Sequence, residues 1–280
     1  MGSSNSRNPF PATDINALPE NCIANVLSLT SPAETCRLSL VSSTFRSAAE
    51  SDTVWERFIP SDYQDIIAVE ESSSLPDFKT KKELFLHLSD HPYIIDDGTK
   101  SFSLDKWSGK KCFMLAARYL SIIWGDTPEY WTWISLPESR FTEVAELVDV
   151  CWLEIRGKIS TQMLSPDTTY AAYLVFKWAT RAIGFENQAG ESWVRLSGGE
   201  GEKRSFYLDP RGLPRRRTRR TCTDQYPKER GDRWLEIELG EYLNKSGEDG
   251  ELEIHLQNLT SHWKSGLIVQ GIEIRPKNSK

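Results

Sequence analysis

Apolar residues between positions 18 and 59 recur three and four residues apart, which is the spacing of one face of an α-helix. Ile23, Val26 and Leu27 form one such stripe, and proline and serine residues divide the region into four short helices. Helices of about forty residues in total are too small to bury their own apolar surface. We therefore expect another polypeptide to cover part of it.

Beyond Trp107 the apolar period becomes two, which is the period of a β-strand. Leu153, Ile155 and Ile159 alternate with charged residues, and later segments repeat the pattern. Many short strands separated by Gly, Pro and Asp turns predict an antiparallel β-sandwich. One segment, "SRFTEVAELVDV" at 139–150, has the spacing of one or two helical turns instead.

Residues 61–105 are predicted to be a connector between these halves. A serine run comes first, and a helix-like piece with Leu84, Phe85 and Leu88 follows. The expected fold class is therefore multidomain α and β, with N-terminal helices, a helical connector and a C-terminal antiparallel sandwich.

The composition of the chain argues against several classes of function. The chain has 280 residues, 39% of them hydrophobic, and a formal charge of -6, which argues against general attraction to nucleic acid or an anionic membrane. No apolar run reaches the roughly 18 residues of a membrane span, and the N-terminus lacks a secretory signal. Five dispersed cysteines without a CxxC pair, and four dispersed histidines, predict reduced thiols and no metal or other cofactor.

The helical region resembles the F-box motif, because "LPE" at 18–20, "VS" at 41–42, "FR" at 45–46 and the final Trp55 keep the order and approximate spacing of that motif. The resemblance implies that these helices bind the Skp-type adaptor of a cullin ubiquitin ligase. The residues that it assigns to adaptor binding are Leu18, Pro19, Ile23, Val26, Leu27, Leu29, Pro32, Leu40, Val41, Phe45 and Trp55. The alternative is a small bundle that packs on the rest of this chain.

The second half resembles the phloem protein 2 family of plant lectins along nearly its whole length. The strings that carry the resemblance include "LSIIWGDTPEYWTW", "AELVDVCWLEIRGKI", "YAAYLVFKW", "WLEIELGEYLN" and "WKSGLIVQGIEIRP". Together with the F-box they look like the plant F-box proteins of the phloem protein 2 type. This implies a disordered 1–13, an F-box at 14–60 and a jelly-roll-like lectin sandwich at 106–280.

The stretch "WGDTPEYWTW" offers aromatic planes beside a turn, which suits the apolar face of a sugar ring. The lectin resemblance assigns carbohydrate binding to Trp124, Trp131 and Glu251, and to Asn258, where the family has a carboxylate. An amide still bonds hydroxyls but lacks the stronger charge-assisted bond. The remaining sandwich tryptophans, Trp133, Trp152, Trp178 and Trp234, are predicted to pack in the core.

Two short signals concern location. Arg215, Arg216, Arg217, Arg219 and Arg220 form a basic run, which is a solvated loop, a nuclear-import signal or a contact for an anionic partner. Gly2 opens an N-myristoylation pattern, and one acyl chain supports only weak, reversible membrane association. The expected location is cytoplasmic and nuclear, with at most transient membrane contact.

The leading functional hypothesis is a non-catalytic substrate-recognition subunit of a Skp-cullin-F-box ubiquitin ligase. Its expected partners are the adaptor, a cullin through that adaptor, and a glycoprotein or other protein cargo. Two alternatives stay open: a nucleocytoplasmic stress lectin without a ligase role, and an F-box receptor that binds cargo through protein contacts alone. No Ser-His-Asp or HExxH arrangement supports an enzyme, and nothing indicates a specific nucleic-acid ligand.

Overall fold

The computed structural model describes residues 18–67, 76–209 and 225–277, which form two compact units. The first, here the helical unit, comprises the described residues up to Pro60 together with Asp77–His87 and Lys106–Gly109. The second, here the sandwich, comprises the described residues of Ser61–Pro76, Leu88–Asp105 and Lys110–Lys280. The predicted connector is thus divided between the two units.

The helical unit begins with four short helices, whose starts follow from capping. They are α1 (Glu20–Ser28), α2 (Pro32–Leu38), α3 (Ser43–Ala49) and α4 (Asp52–Phe58). Ser31 Oγ accepts a hydrogen bond from the Glu34 amide, and Ser42 Oγ accepts one from the Phe45 amide, so each satisfies an orphan donor. Two further helices follow along the chain: α5 (Tyr63–Ile67), which belongs to the sandwich, and α6 (Lys81–Asp90), most of which belongs to the helical unit. None of the helices that the structure describes is long and apolar enough to cross a membrane.

An aromatic cluster forms the core of the helical unit. The Trp55 ring lies 5.8 Å from Phe58 and 5.2 Å from Phe85, measured between ring centroids. Trp55 Nε1 donates to the Ala49 carbonyl at 2.7 Å, so the one polar atom of this buried side chain is satisfied. Leu27 of α1 is fully buried.

Thirteen strands are found among the described residues of the sandwich. They are β1 (Tyr93–Ile95), β2 (Lys100–Leu104), β3 (Lys111–Ala116), β4 (Ser121–Ile122), β5 (Trp131–Ile134), β6 (Val144–Leu147), β7 (Val150–Ser160), β8 (Thr168–Ile183), β9 (Ala189–Leu196), β10 (Arg204–Tyr207), β11 (Lys228–Glu229), β12 (Leu235–Asn244) and β13 (Glu251–Pro276). Every pairing between these strands is antiparallel, which confirms the predicted architecture of helices followed by an antiparallel sandwich.

The long strand β13 belongs to both layers. Its first part pairs with β7 and β9, and β4 and β10 extend that layer at its edges. Its second part pairs with β3, β6 and β8, in the layer that also contains β1, β2, β5, β11 and β12. Alternate residues of each layer, such as Ile155, Ile254 and Ile274, are buried and form the core.

The predicted helical turn in 139–150 is wrong. This segment contains strand β6, which pairs with β5 on one side and with β13 on the other. Pairing on both sides satisfies the backbone of Val144–Leu147, so tertiary structure overrides the helical spacing.

A wide bulge marks the place where β13 passes from one layer to the other. Leu259 stands opposite Trp152, and Lys264 stands opposite Val150, so the four residues 260–263 of β13 face Cys151 alone and three of them are extra. The fully buried Lys264 Nζ donates to the Cys151 carbonyl at 2.7 Å and to the His262 carbonyl at 3.0 Å. This ammonium group holds the bulge to β7.

Candidate functional site

The eleven residues predicted to bind an adaptor divide into buried and exposed groups. The buried ones are Ile23, Leu27, Pro32, Phe45 and Trp55, and the exposed ones are Leu18, Pro19, Val26, Leu29, Leu40 and Val41. The first group is the core that fixes the helices. The second group is available to a partner, so only it fits a direct binding role.

Five of the exposed side chains, Leu18, Val26, Leu29, Leu40 and Val41, are called here the aliphatic surface. Leu29 is 76% exposed at the end of α1, and Leu40 is 78% exposed between α2 and α3. Both residues lie at helix ends, and a hydrogen bond holds the neighbouring helices α1 and α3 together. Ser47 Oγ of α3 donates to Glu20 of α1 at 2.8 Å.

Of the two tryptophans predicted to stack on a sugar, only Trp124 is open to solvent. Its backbone is left-handed, with φ +58°, and its ring lies 5.1 Å from Tyr130. Trp131 is 2% exposed in β5, opposite the buried Leu147. The prediction that Trp131 offers an open platform for a sugar is wrong, because its ring is buried in the core.

The two predicted polar residues, Glu251 and Asn258, point to opposite sides of β13. They are seven residues apart, an odd spacing that places their side chains on opposite faces about 23 Å apart along the strand. Glu251 is exposed and pairs with Lys158 at 3.0 Å. Asn258 is 1% exposed. The structure therefore does not bring the four predicted sugar-site residues together on one surface.

Trp152, which was predicted to lie in the core, is 47% exposed, whereas Trp234 is buried as predicted. Trp133 and Trp178 are half-buried. The alternation of β7 contained the signal that was missed, because Trp152 shares its face with the charged Glu154 and not with the buried Leu153.

A buried carboxylate fixes the exposed Trp152 ring. Trp152 Nε1 donates to Glu154 Oε2 at 2.9 Å, and Arg156 Nε donates to the other oxygen at 2.7 Å. His255 Nε2 lies 3.1 Å from that same oxygen. Burial alone would raise the pKa of Glu154, but the hydrogen bonds from Trp152 and Arg156 outweigh it and hold the pKa below its usual range. Burial lowers the pKa of His255, against the attraction of Glu154.

A groove of about 730 Å³ crosses strands β5, β6, β13 and β8 of the sandwich. In one row across it, Thr132 stands opposite Glu146, Glu146 opposite Ile268, and Ile268 opposite Lys177. Lys177 is already paired with Glu138, by a short hydrogen bond. The groove has the size of a ligand pocket and a mixed polar and apolar lining.

Gly2 and the five arginines of the basic run lie outside the described residues, so acylation and nuclear import stay predictions. Within the described ranges, no group of three or more His, Cys, Asp or Glu side chains is arranged to hold a metal ion.

Two family models match this arrangement of helices followed by a sandwich. The F-box domain matches residues 15–57, and Phloem protein 2 matches residues 110–276, which is more than half of the chain. The chain belongs to the phloem protein 2 family. Within it, the chain is of the type in which an F-box precedes the phloem protein 2 domain.

Two curated relatives from Arabidopsis thaliana have the same organisation along nearly their whole length. The chain is 49% identical to "Putative F-box protein PP2-B12" over 93% of this chain and 97% of the relative. It is 45% identical to "F-box protein PP2-B10" over 95% of each. These relatives, like this chain, are phloem protein 2 proteins of the F-box type.

A weaker similarity extends to solved structures of carbohydrate-binding modules. TmCBM61, solved in complex with β-1,4-galactotriose, is 10% identical to this chain, with a TM-score of 0.29. The match covers 56% of this chain and 87% of the module.

Proposed function

We propose that this phloem protein 2 protein is the substrate-recognition subunit of a Skp-cullin-F-box ubiquitin ligase. The observation that carries the proposal is the aliphatic surface, which lies on helices that match the F-box domain. Its helices would bind a Skp-type adaptor, and its sandwich would bind a glycosylated or other protein cargo.

The energetics of the aliphatic surface favour such a partner. Burying one leucine or valine side chain is worth about 1.5–3 kcal/mol relative to leaving it in water. Five such side chains together supply several kcal/mol even after the cost of association. The core beneath them is already satisfied, so partner binding need not reorganise the helices.

Adaptor binding by the purified full chain tests this proposal. The triple variant Leu29→Ala, Leu40→Ala and Val41→Ala should weaken binding to a purified Skp-type adaptor about a hundredfold, with an unchanged melting temperature. Leu86→Ala is the matched control, since Leu86 is an exposed leucine of the same unit on α6. Undiminished binding by the triple variant would overturn the proposal.

In this role the chain needs no chemistry of its own. A receptor that holds cargo beside a ubiquitin-loaded enzyme raises the effective concentration of the two reactants. A purified ligase containing this chain would then modify bound cargo, and the aliphatic triple variant would remove that modification without affecting cargo binding.

Carbohydrate binding without a ligase role is the second candidate function. The exposed Trp124 ring beside Tyr130 favours it. A glycan array probed with the full chain and with Trp124→Ala tests it. Binding that survives Trp124→Ala, or no binding at all, would contradict a sugar platform at this turn.

A further inference from the structure

Five large apolar side chains are exposed at one end of the sandwich. They are Val148, Trp152, Ile183, Leu259 and Trp263, each between 42% and 60% exposed, and they are called here the apolar edge. Monomeric proteins seldom expose a contiguous group of large apolar side chains, and such groups mark interaction sites. Neither the F-box match nor the predicted sugar site accounts for these residues.

Strand register places the residues of the apolar edge on or beside paired stretches of β7, β8 and β13. Trp152 stands directly opposite Leu259 on β13. Ile183 stands opposite Ser265, two residues after Trp263. Val148 lies just before β7, two residues from Val150, which faces Lys264.

The backbone under the apolar edge is fixed. The Lys264 ammonium group ties the bulge that carries Trp263 to the Cys151 carbonyl. Gly184, with φ +86°, lets β8 approach the bulge closely, because a Cβ there would lie 1.9 Å from the Trp263 carbonyl oxygen. Trp152 itself is held by Glu154. A rigid aromatic side chain loses little entropy on binding, which is the property of a binding hot spot.

Four carboxylates without an ion pair lie in the segments next to Val148 of the apolar edge. Asp126 and Glu129 belong to the turn before β5, and the Val148 amide donates to the carbonyl of the adjacent Tyr130. Asp149 follows Val148, and Glu146 precedes it. None of these four carboxylates forms an ion pair with a residue that the structure describes.

The nearby cations do not neutralise this charge. Arg118 is paired with Glu143, Lys177 with Glu138 and Arg156 with Glu154. Of the cations near the edge, Arg181 and the buried Lys264, which bonds only to carbonyls, have no ion pair among the described residues, so two cations stand against four carboxylates. The apolar edge therefore lies in a locally acidic surface, which attracts a cationic partner and repels a second copy of itself.

We propose that the apolar edge docks a basic segment of a protein cargo, one with bulky apolar side chains among its lysines or arginines. This inference rests on the proposed receptor function. The five side chains of the edge carry no hydroxyl-binding groups among them except the indole N–H groups, and that of Trp152 is already engaged by Glu154. The surface thus suits apolar protein side chains better than a sugar.

Synthetic peptides of about twelve residues provide a defined probe. One alternates lysine with leucine and tryptophan, a second replaces lysine with glutamate, and a third replaces the apolar residues with serine. The full chain, measured by fluorescence anisotropy, should bind the first peptide at least about tenfold more tightly than either of the others. Equal binding of the lysine and glutamate peptides would overturn the proposal.

Variants of the chain locate the binding on the apolar edge. Trp152→Ala combined with Trp263→Ala should weaken binding about tenfold or more, and so should Glu146→Lys combined with Asp149→Lys. Leu243→Ala is the matched control, because Leu243 is exposed to a similar extent elsewhere in the sandwich. Melting temperatures show whether each variant is folded. If the tryptophan double variant does not fold, the charge-reversal double variant still tests the proposal.

Three further outcomes would overturn the proposal. They are unchanged binding by both double variants, displacement of the peptide by chitin or mannose oligomers, and self-association that Trp263→Ala removes. Adaptor binding, measured on the same samples, separates this inference from the receptor function. The two double variants should keep it, and the aliphatic triple variant should lose it while still binding the peptide.

Discussion

The helical unit and the sandwich leave large apolar side chains exposed in two different ways. The side chains of the aliphatic surface on the helical unit carry no polar atom, as at Leu29 and Leu40. On the sandwich the exposed side chains include tryptophans, and Trp152 is tied to a buried carboxylate. The aliphatic surface is stabilised only when a partner buries it. The side chains of the apolar edge are held in place by the sandwich before any partner binds.

This difference predicts where substitutions act. In the helical unit, core and surface are separate, so a variant should affect either stability or binding. At the apolar edge the groups that fix the surface are part of the fold, so variants such as Lys264→Met should affect both.

Trp55→Ala should have the largest effect on stability. Trp55 is buried among Phe58 and Phe85, and removing such a ring typically costs about 3–5 kcal/mol. Hydrogen exchange should show loss of amide protection in Glu20–Ser28 and Asp52–Phe58, while Thr168–Ile183 keeps its protection. Leu40→Ala should leave both regions protected. Equal loss in both units would mean that they are not energetically separate.

Acid should affect the sandwich more than the helical unit. Burial would raise the pKa of Glu273, but Arg230 and Arg275, at 2.7 and 2.5 Å, outweigh it and lower the pKa to about 2. Because the folded pKa is depressed, its stabilisation is present above the unfolded value near 4.5 and is lost as pH falls towards 2. The loss is on the order of 3 kcal/mol.

Thermal unfolding at several pH values measures this effect. Glu273→Gln should lower the melting temperature at neutral pH, since its arginines lose their partner, and should flatten the decline below pH 4.5. If the melting temperature falls with pH equally in the variant and in the natural chain, another group causes the acid sensitivity.

Lys264→Met should have an intermediate effect on stability. The substitution keeps the volume but leaves the Cys151 and His262 carbonyls without their donor, at a cost of about 1–3 kcal/mol. Lys158→Met is the control, because Lys158 makes an exposed pair with Glu251 worth at most about 1 kcal/mol. If both variants melt at the same temperature, the buried ammonium group does not hold the bulge. Peptide binding should weaken in Lys264→Met alone.

The order of the helices and strands could be predicted from the sequence because those signals are local. Ser31 and Ser42 begin helices by capping them, and the alternation of Leu153 and Ile155 with charged residues gives the buried face of β7. The period of a segment fixes its type, except where both neighbours impose another structure, as in β6.

The candidate sites could be predicted less completely because burial depends on distant strands. Trp124 and Trp131 lie in one short stretch, yet only the pairing of β5 with β6 turns Trp131 inward. The wide bulge of β13 has no simple local signal, so neither Trp263 nor the role of Lys264 could be foreseen. The exposure of Trp152 could have been predicted, because Trp152 lies on the same face of β7 as the charged Glu154.

The smallest predicted effect concerns two exposed indole N–H groups, one in each unit. Trp152 Nε1 donates to Glu154, whereas Trp107, 59% exposed in the helical unit, has no acceptor for its indole N–H among the described residues. The Trp152 indole proton should therefore exchange with solvent about tenfold more slowly than that of Trp107, as NMR of ¹⁵N-labelled indoles can measure.

Glu154→Gln keeps an acceptor oxygen but removes its charge, so it should cost only about 1 kcal/mol and speed the exchange of Trp152 alone. Since the pKa of Glu154 is depressed, the natural chain should keep this protection above the usual carboxyl pKa and lose it only at lower pH. Equal exchange of the two indoles would mean that Trp152 is as loosely held as the exposed side chains of the helical unit. The apolar edge would then resemble the aliphatic surface, a set of side chains ordered by the partner and not before it.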